Sequence, residues 1–476
     1  MITQSFYHIA SDRKEKNYLS IEWTFVASTT GKVSLQLPIW RPGRYQAQHF
    51  AKNIPLVYQL LEGEMQAIKK VSGSSWEIHA NAGERIHLSW KYLAIQEDAG
   101  GSVVQDEFLY INFVNCCLYA LGCEDLDVEV QLSFPSHWKF LTALQHKLGQ
   151  SFLATSFREL VDSPFMAAPE LNITEWEENG ILFKAGGFDP LYSINHKVIK
   201  AYQAFTKFQM LYMGGFPVNA YTFMHWICPK PYYHGVEHTK STMIVLGAPE
   251  RDLYEDLIGV ASHELFHVWN ICTIRPKELL PYQYDKEVIF ATGGVVEGIT
   301  TYLGDWFLYA SEVWNFDEYL AGLQGNLKLH FERDLKSVQS LIDSSVDLWL
   351  DGYGQSLPGK RVSIYYKGAL MALGLDLLIR KKFQHQKSIR EVMLLMNEQF
   401  GTLKKGYSLE DFYQICSTVY EADLSNWFAI WMESNATVEV ELRQLFAFVG
   451  VELNFQEEKL GLHLVDEELF LAYRKS

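Results

Sequence analysis

A switch in hydrophobic periodicity, roughly a third of the way along the chain, most constrains what this sequence can fold into. Up to about residue 165, short segments rich in β-branched and aromatic residues recur at 18–28, 32–37, 85–93, 107–115 and 127–134. Turn clusters separate them, such as Ser28-Thr29-Thr30-Gly31-Lys32 and Gly100-Gly101-Ser102. Strands of that length and spacing predict an antiparallel sandwich. From about residue 195 the apolar residues fall at helical spacing instead, over 196–208 and 252–271, and then over 300–312, 316–335, 368–383 and 409–420. The last stretch, from residue 451, returns to β character with high charge. A β sandwich, then a mixed segment, then a helical segment make the expected fold α+β and multidomain. Its 476 residues also exceed one ordinary domain.

Composition narrows the function classes. With 48% hydrophobic and 21% charged residues, the chain has the balance of a globular protein. A net charge of −16 argues against a nucleic-acid or anionic-membrane partner. The start, MITQSFYHIASDRKEK, lacks the basic and apolar regions of a secretory signal. No apolar run approaches the roughly 18 residues of a membrane span, and the stretch 368–379 is broken by Asp376. Six irregularly spaced cysteines do not make a disulfide framework, so buried thiols and a cytoplasmic setting are expected.

The segment with chemistry is His263-Glu264-Leu265-Phe266-His267, inside the predicted helix 252–271. Histidines at i and i+4 lie about one turn apart on one helix face, so both imidazoles can reach one metal ion. Glu264 lies on the adjacent flank, placed to act as a base toward water. Zinc is the expected ion, one per chain, because catalytic zinc takes three protein ligands and keeps a position open. Such a pentapeptide arises by chance in about one chain in thirty of this length. Its setting counts against accident: Ile258, Val260, Ala261 and Val268 make the helix largely apolar. Bare histidines and a glutamate on a buried helix are costly without a metal or partners.

A third ligand is sought downstream. Gly293-Gly294-Val295-Val296-Glu297-Gly298 reads as another helix start, and Glu297 lies 30 positions after His267 (297 − 267). That distance allows a loop and a returning antiparallel helix. Alone, Glu297 would read as a solvated or capping residue; beside two histidines it is the best candidate. Asp305, eight residues on, is a candidate for orienting a ligand histidine, or else an ordinary surface residue.

Several further segments bring a family into view. Leu37-Pro38-Ile39-Trp40-Arg41-Pro42-Gly43-Arg44-Tyr45, Leu160-Val161-Asp162-Ser163-Pro164, His263 to Asn270 followed by Ile274-Arg275-Pro276, and Glu297 to Tyr302 together resemble the glycyl aminopeptidase family of gluzincin metallopeptidases. The resemblance spans nearly the whole chain. It implies a β-sandwich over 1–168, a thermolysin-like catalytic domain over 169–305, a mostly helical part over 306–450 and a β-like tail over 451–476. The C-terminal PDZ domain often found in the family is expected to be missing, since Gly461 to Val465 looks like its lead-in with nothing after it.

The same resemblance implies roles. His234-Gly235-Val236-Glu237-His238 is similar to the family's Gly-Gly-Leu-Glu-His, in which the glutamate binds the substrate's free α-ammonium. Glu237 would take that role, and His238 would line the same pocket; an exposed edge-strand Glu is the plainer reading. Tyr365-Tyr366-Lys367-Gly368 resembles an element whose first tyrosine donates to the oxyanion, which implies Tyr365, with Tyr366 the competing choice. The family's tryptophan three positions before the third ligand is Gly294 here. Its basic pair after Trp-Asn becomes Cys272-Thr273, and the amine motif carries His234 and Val236.

The resulting expectation is a one-zinc aminopeptidase acting on peptides with a free N-terminus, with Gly or Ala implied by the resemblance. A zinc endopeptidase and an inactive peptide-binding protein are the alternatives. Oligomeric state is not readable from the sequence.

Overall fold

The computed structural model describes residues 1–11, 16–189, 193–248, 250–333, 337–456 and 459–475. These divide into two compact units that are not consecutive in sequence. The first comprises residues 1–195, 218–253 and 283–287; the second comprises 196–217, 254–282 and 288–476.

Alternation drives the first unit. In the strand Tyr18–Ala27 the buried residues are Leu19, Ile21, Trp23, Phe25 and Ala27, and in Arg85–Leu93 they are Ile86, Leu88, Trp90 and Tyr92. The two strands pair antiparallel with Ile21 opposite Trp90 and Trp23 opposite Leu88, so one face of the pair is continuous core. Each such large side chain contributes about 1.5–3 kcal/mol by leaving water. The strands belong to an eight-stranded sheet that is antiparallel throughout except where Ile2–Ser11 runs parallel to Val128–Ser133. Two four-stranded sheets accompany it. The segment expected as one long strand, 107–115, is a short strand at Leu109–Ile111 followed by a 3-10 turn at Phe113–Asn115.

A five-stranded sheet completes this unit, in the order Asn172–Glu178, Ile181–Phe188, Ala220–Ile227, Ser241–Gly247 and Tyr232–Glu237. Its three middle strands are parallel, and the strand carrying Glu237 lies on an edge. Trp226, Val236, Met243 and Val245 from this sheet share one core cluster with Val103, Phe108, Tyr110 and Met166 from the preceding β region. That shared core is the physical reason the sheet groups with the sandwich strands rather than with the helices.

The second unit is helical. The helix bearing the His-Glu-x-x-His segment is Tyr254–Phe266, and the helix bearing Glu297 is Gly293–Ala310. Gln209, on the helix His196–Met213, donates to the carbonyl of Ser262, and the Ser262 hydroxyl donates to the carbonyl of Gly304 at 2.8 Å. A buried ion pair, Arg380 to Asp376 at 2.8 Å, sits on the helix Tyr366–Phe383. Tyr302 donates to the same carboxylate at 2.6 Å, so the charges are hydrogen-bonded as well as paired. The tail expected as β is a hairpin, Val451–Gln456 with Lys459–Leu464, followed by a helix at Glu467–Lys475. Among the described residues no helix is long and apolar enough to cross a membrane.

Candidate metal centre

The predicted helix over 252–271 stops at Phe266, one residue before the second histidine. His267 still donates its backbone N–H to the His263 carbonyl at 3.4 Å, which keeps the i, i+4 relation. Beyond it the chain turns away, because Asn270 is engaged elsewhere. The Asn270 amide donates to the carbonyls of Val296 at 2.8 Å and Val295 at 3.3 Å and to the Thr300 hydroxyl at 3.0 Å. Ile271 then adopts φ +116°, a conformation a β-branched residue holds only at a cost of about 1–3 kcal/mol. Helix propensity loses here to the tie between the two site-bearing helices.

Among the described residues one group of His, Cys, Asp and Glu side chains can hold a metal ion, and it is His263, His267 and Glu297. The two Nε2 atoms stand 3.0 Å apart; the Glu297 carboxylate is 3.4 Å from His267 Nε2 and 3.7 Å from His263 Nε2. Tetrahedral zinc with bonds of about 2.0–2.2 Å needs donor atoms roughly 3.3–3.6 Å apart. The His267–Glu297 separation of 3.4 Å falls within that spacing, and the other two, 3.0 and 3.7 Å, bracket it. His267 also bonds the Asn270 carbonyl through Nδ1 at 2.9 Å, which fixes the proton on Nδ1 and leaves the Nε2 lone pair facing the centre.

Electrostatics agree. Burial alone would raise the Glu297 carboxyl, but the two histidines overcome it and hold it down at about 2. Burial lowers His263, against the pull of Glu297. A charged carboxylate facing two imidazole lone pairs, with 4% and 2% exposure at Glu297 and His267, is the arrangement a divalent cation completes. Glu264 is buried on the same helix, next to His263.

The Tyr366–Phe383 helix approaches the Glu297 helix through two glycines. A Cβ on Gly298 would stand 2.2 Å from the Gly368 backbone, so only glycine fits the crossing. That contact carries Tyr365, which precedes the helix, to a ring-centroid distance of 6.5 Å from His263. Tyr366 instead lines a small cavity of about 20 Å³ together with Asp305, Tyr302 and Tyr319. Of the two competing tyrosines, Tyr365 is therefore the one beside the histidine. Asp305 does not orient a ligand histidine: its carboxylate accepts from Asn326 at 3.1 Å, and burial raises it to about 7. Asn270 and Thr300 take the orienting role that the sequence suggested for Asp305. At Gly294, where tryptophan was expected, a Cβ would meet Leu341 at 2.6 Å, so that space is already filled.

Glu237 and His238 belong to the first unit, where both are buried. His238 hydrogen-bonds Asp162 through Nδ1 at 3.1 Å. His234, the departure in the amine motif, accepts from Arg41 at 3.4 Å; burial, reinforced by Arg41, lowers it to about 3 and keeps it neutral.

Comparison with known proteins accords with this geometry. Residues 6–169 match the Peptidase M61 N-terminal domain, and residues 256–371 match the M61 glycyl aminopeptidase domain. The structure of an aminopeptidase N family protein from Idiomarina loihiensis superposes with a TM-score of 0.89 at 26% identity, covering 95% of this chain and 79% of that one. An M1 zinc metallopeptidase from Deinococcus radiodurans superposes at 0.55 with 12% identity, over 92% of this chain and 94% of that one. A mutant of that protein bound to a Tyr-Ser-Ala substrate gives 0.54 at 13% identity, over 92% and 94%. These last two establish a shared fold. No curated protein sequence matches. Two family domains that together cover more than half of the chain, and a His-His-Glu group within the second of them, lead to one conclusion: the chain belongs to the M61 glycyl aminopeptidase family and is a metallopeptidase.

Proposed function

We propose that the protein is a zinc aminopeptidase that removes N-terminal residues, small ones such as Gly or Ala, from peptides. The observation that carries this reading is the convergence of His263, His267 and Glu297, with Glu264 following the first histidine in sequence. Zinc held by those three side chains would lower the pKa of a water molecule and polarise the scissile carbonyl. Glu264 takes the proton from the water as its oxygen attacks the carbonyl carbon. It then delivers that proton to the departing nitrogen as the C–N bond breaks. Tyr365 donates its phenolic O–H to the oxygen that gains negative charge, and such a donor contributes about 3 kcal/mol in comparable sites. Glu237 accepts hydrogen bonds from the substrate's α-ammonium and so restricts cleavage to the first peptide bond. The six free thiols, five of them buried, support a cytoplasmic setting.

The test compares alanyl and glycyl amides with their N-acetylated forms, alongside zinc content. We expect one zinc per chain and turnover of the free-amine substrates only. Equal cleavage of acetylated peptides would replace this reading with an endopeptidase.

A further inference from the structure

Glu237 is the side chain on which the exopeptidase reading depends, and its surroundings within the first unit are unusual. Arg41-Pro42-Gly43-Arg44 forms a tight turn, closed by the Arg44 N–H donating to the Arg41 carbonyl at 3.2 Å. Proline second and a glycine with φ +77° third fit a type II turn. The glycine is required twice over. A Cβ there would stand 2.3 Å from Glu237 Oε2, 3.0 Å from its Cδ and 3.1 Å from Oε1. The carboxylate thus lies close against the Gly43 backbone, Oε2 nearest.

Immediately after Glu237, a second element of the same unit holds the strand end. Asp162, which caps the helix Phe157–Val161, uses one carboxylate oxygen for His238 Nδ1 at 3.1 Å and the other for the Thr239 N–H at 3.0 Å. His238 Nε2 is buried with no hydrogen-bond partner among the described residues. The ring's anchoring therefore comes from Asp162. A wall stands against the carboxylate on one side, and a two-point clamp follows one residue later. Neither belongs to the five-stranded sheet that carries Glu237.

We propose that Gly43 and Asp162 are positioning residues that fix the Glu237 carboxylate, and that the β-rich region before residue 170 thereby sets selectivity for a free N-terminus. This rests on the assignment of Glu237 to the α-ammonium. Gly43 acts by close approach, because any side chain would drive the carboxylate aside. Asp162 acts by holding the strand end that carries it.

The experiment uses the full-length zinc protein and measures inhibition constants for alanine hydroxamate and N-acetylalanine hydroxamate. Their ratio reads amine recognition without turnover. Gly43→Ala and Asp162→Asn are each made alone and combined with Glu237→Ala, with thermal melting as the control for folding. Asp162→Asn keeps the shape and the acceptor for Thr239 while removing the charge, so it tests the idea even if Gly43→Ala does not fold. We expect Gly43→Ala to lose at least about tenfold of the ratio and Asp162→Asn about threefold, within the range of a charge-assisted hydrogen bond. In the Glu237→Ala background neither change should matter further. Retention of the wild-type ratio by both single variants, or equal losses with and without Glu237, would overturn the proposal. A Glu237→Ala protein that itself keeps the ratio would overturn the assignment beneath it, a result distinguishable from the other two.

Discussion

The metal centre and the surroundings of Glu237 are built by opposite means. At the metal centre the orienting contacts are local. His267 bonds Asn270 three residues on, and Asn270 reaches Val296 and Thr300 within 30 residues. Around Glu237 the contacts come from far away: Gly43 lies 194 positions earlier (237 − 43), and Asp162 reaches His238 across 76. The candidate metal ligands and the contacts that orient them are assembled within two consecutive helices and their connection. The surroundings of Glu237, to which we assign recognition of the substrate's end, are assembled from distant parts of the chain.

That contrast can be broken by separating turnover from recognition. The largest effect belongs to Glu264→Gln. It should lower kcat by about 10³-fold while leaving bound zinc and the hydroxamate ratio unchanged; a variant as active as the parent would remove Glu264 from the mechanism. Tyr365→Phe should lower kcat by about 10²-fold with little change in KM, and a loss confined to KM would make it a binding residue instead. Asn270→Ala attacks the local scaffold. With the side-chain ties to Val295, Val296 and Thr300 removed, the Asn270 carbonyl that holds His267 Nδ1 is no longer fixed, and zinc affinity should weaken by about tenfold, read by chelator competition. If recognition changed instead, the separation between the two regions would not hold.

The smallest effect sharpens the comparison through pH. Asp305 has its carboxyl raised to about 7 by burial, so the folded chain keeps a proton that the unfolded chain has lost. Its contribution to stability is full below about pH 4 and is lost as pH rises through 7. Asp305→Asn should flatten that decline and add about 1–2 kcal/mol at pH 8. Because Asp305 contacts Asn326 and no ligand histidine, zinc affinity should not move.

Legibility in the sequence follows the same divide. The two histidines, Glu264 and Glu297 could be picked out because helical spacing and one returning helix suffice to place them. The end of their helix could not, because the sequence up to Ile271 favours helix and only the distant backbone of Val296 explains the break. Tyr365 was separable from Tyr366 only once the Gly298–Gly368 contact set the register of the helix. Strand content before residue 165 was visible from alternation, whereas its shared core with the later five-stranded sheet was not, since Phe108 and Trp226 carry no mark of each other in the sequence. Gly43 was visible only as part of a family segment. A positive φ and a missing Cβ say that something comes close, not what.

The glycine crossing has a consequence for anyone who wishes to reshape this enzyme. With bare backbone against bare backbone at Gly298 and Gly368, the spacing between the helix of the third ligand and the tyrosine beside His263 has no adjustable spacer. Rotamer changes cannot tune it, and every larger residue wedges it open. Attempts to alter substrate preference are better placed at side chains away from that seam, which acts as a fixed datum for the helices on either side.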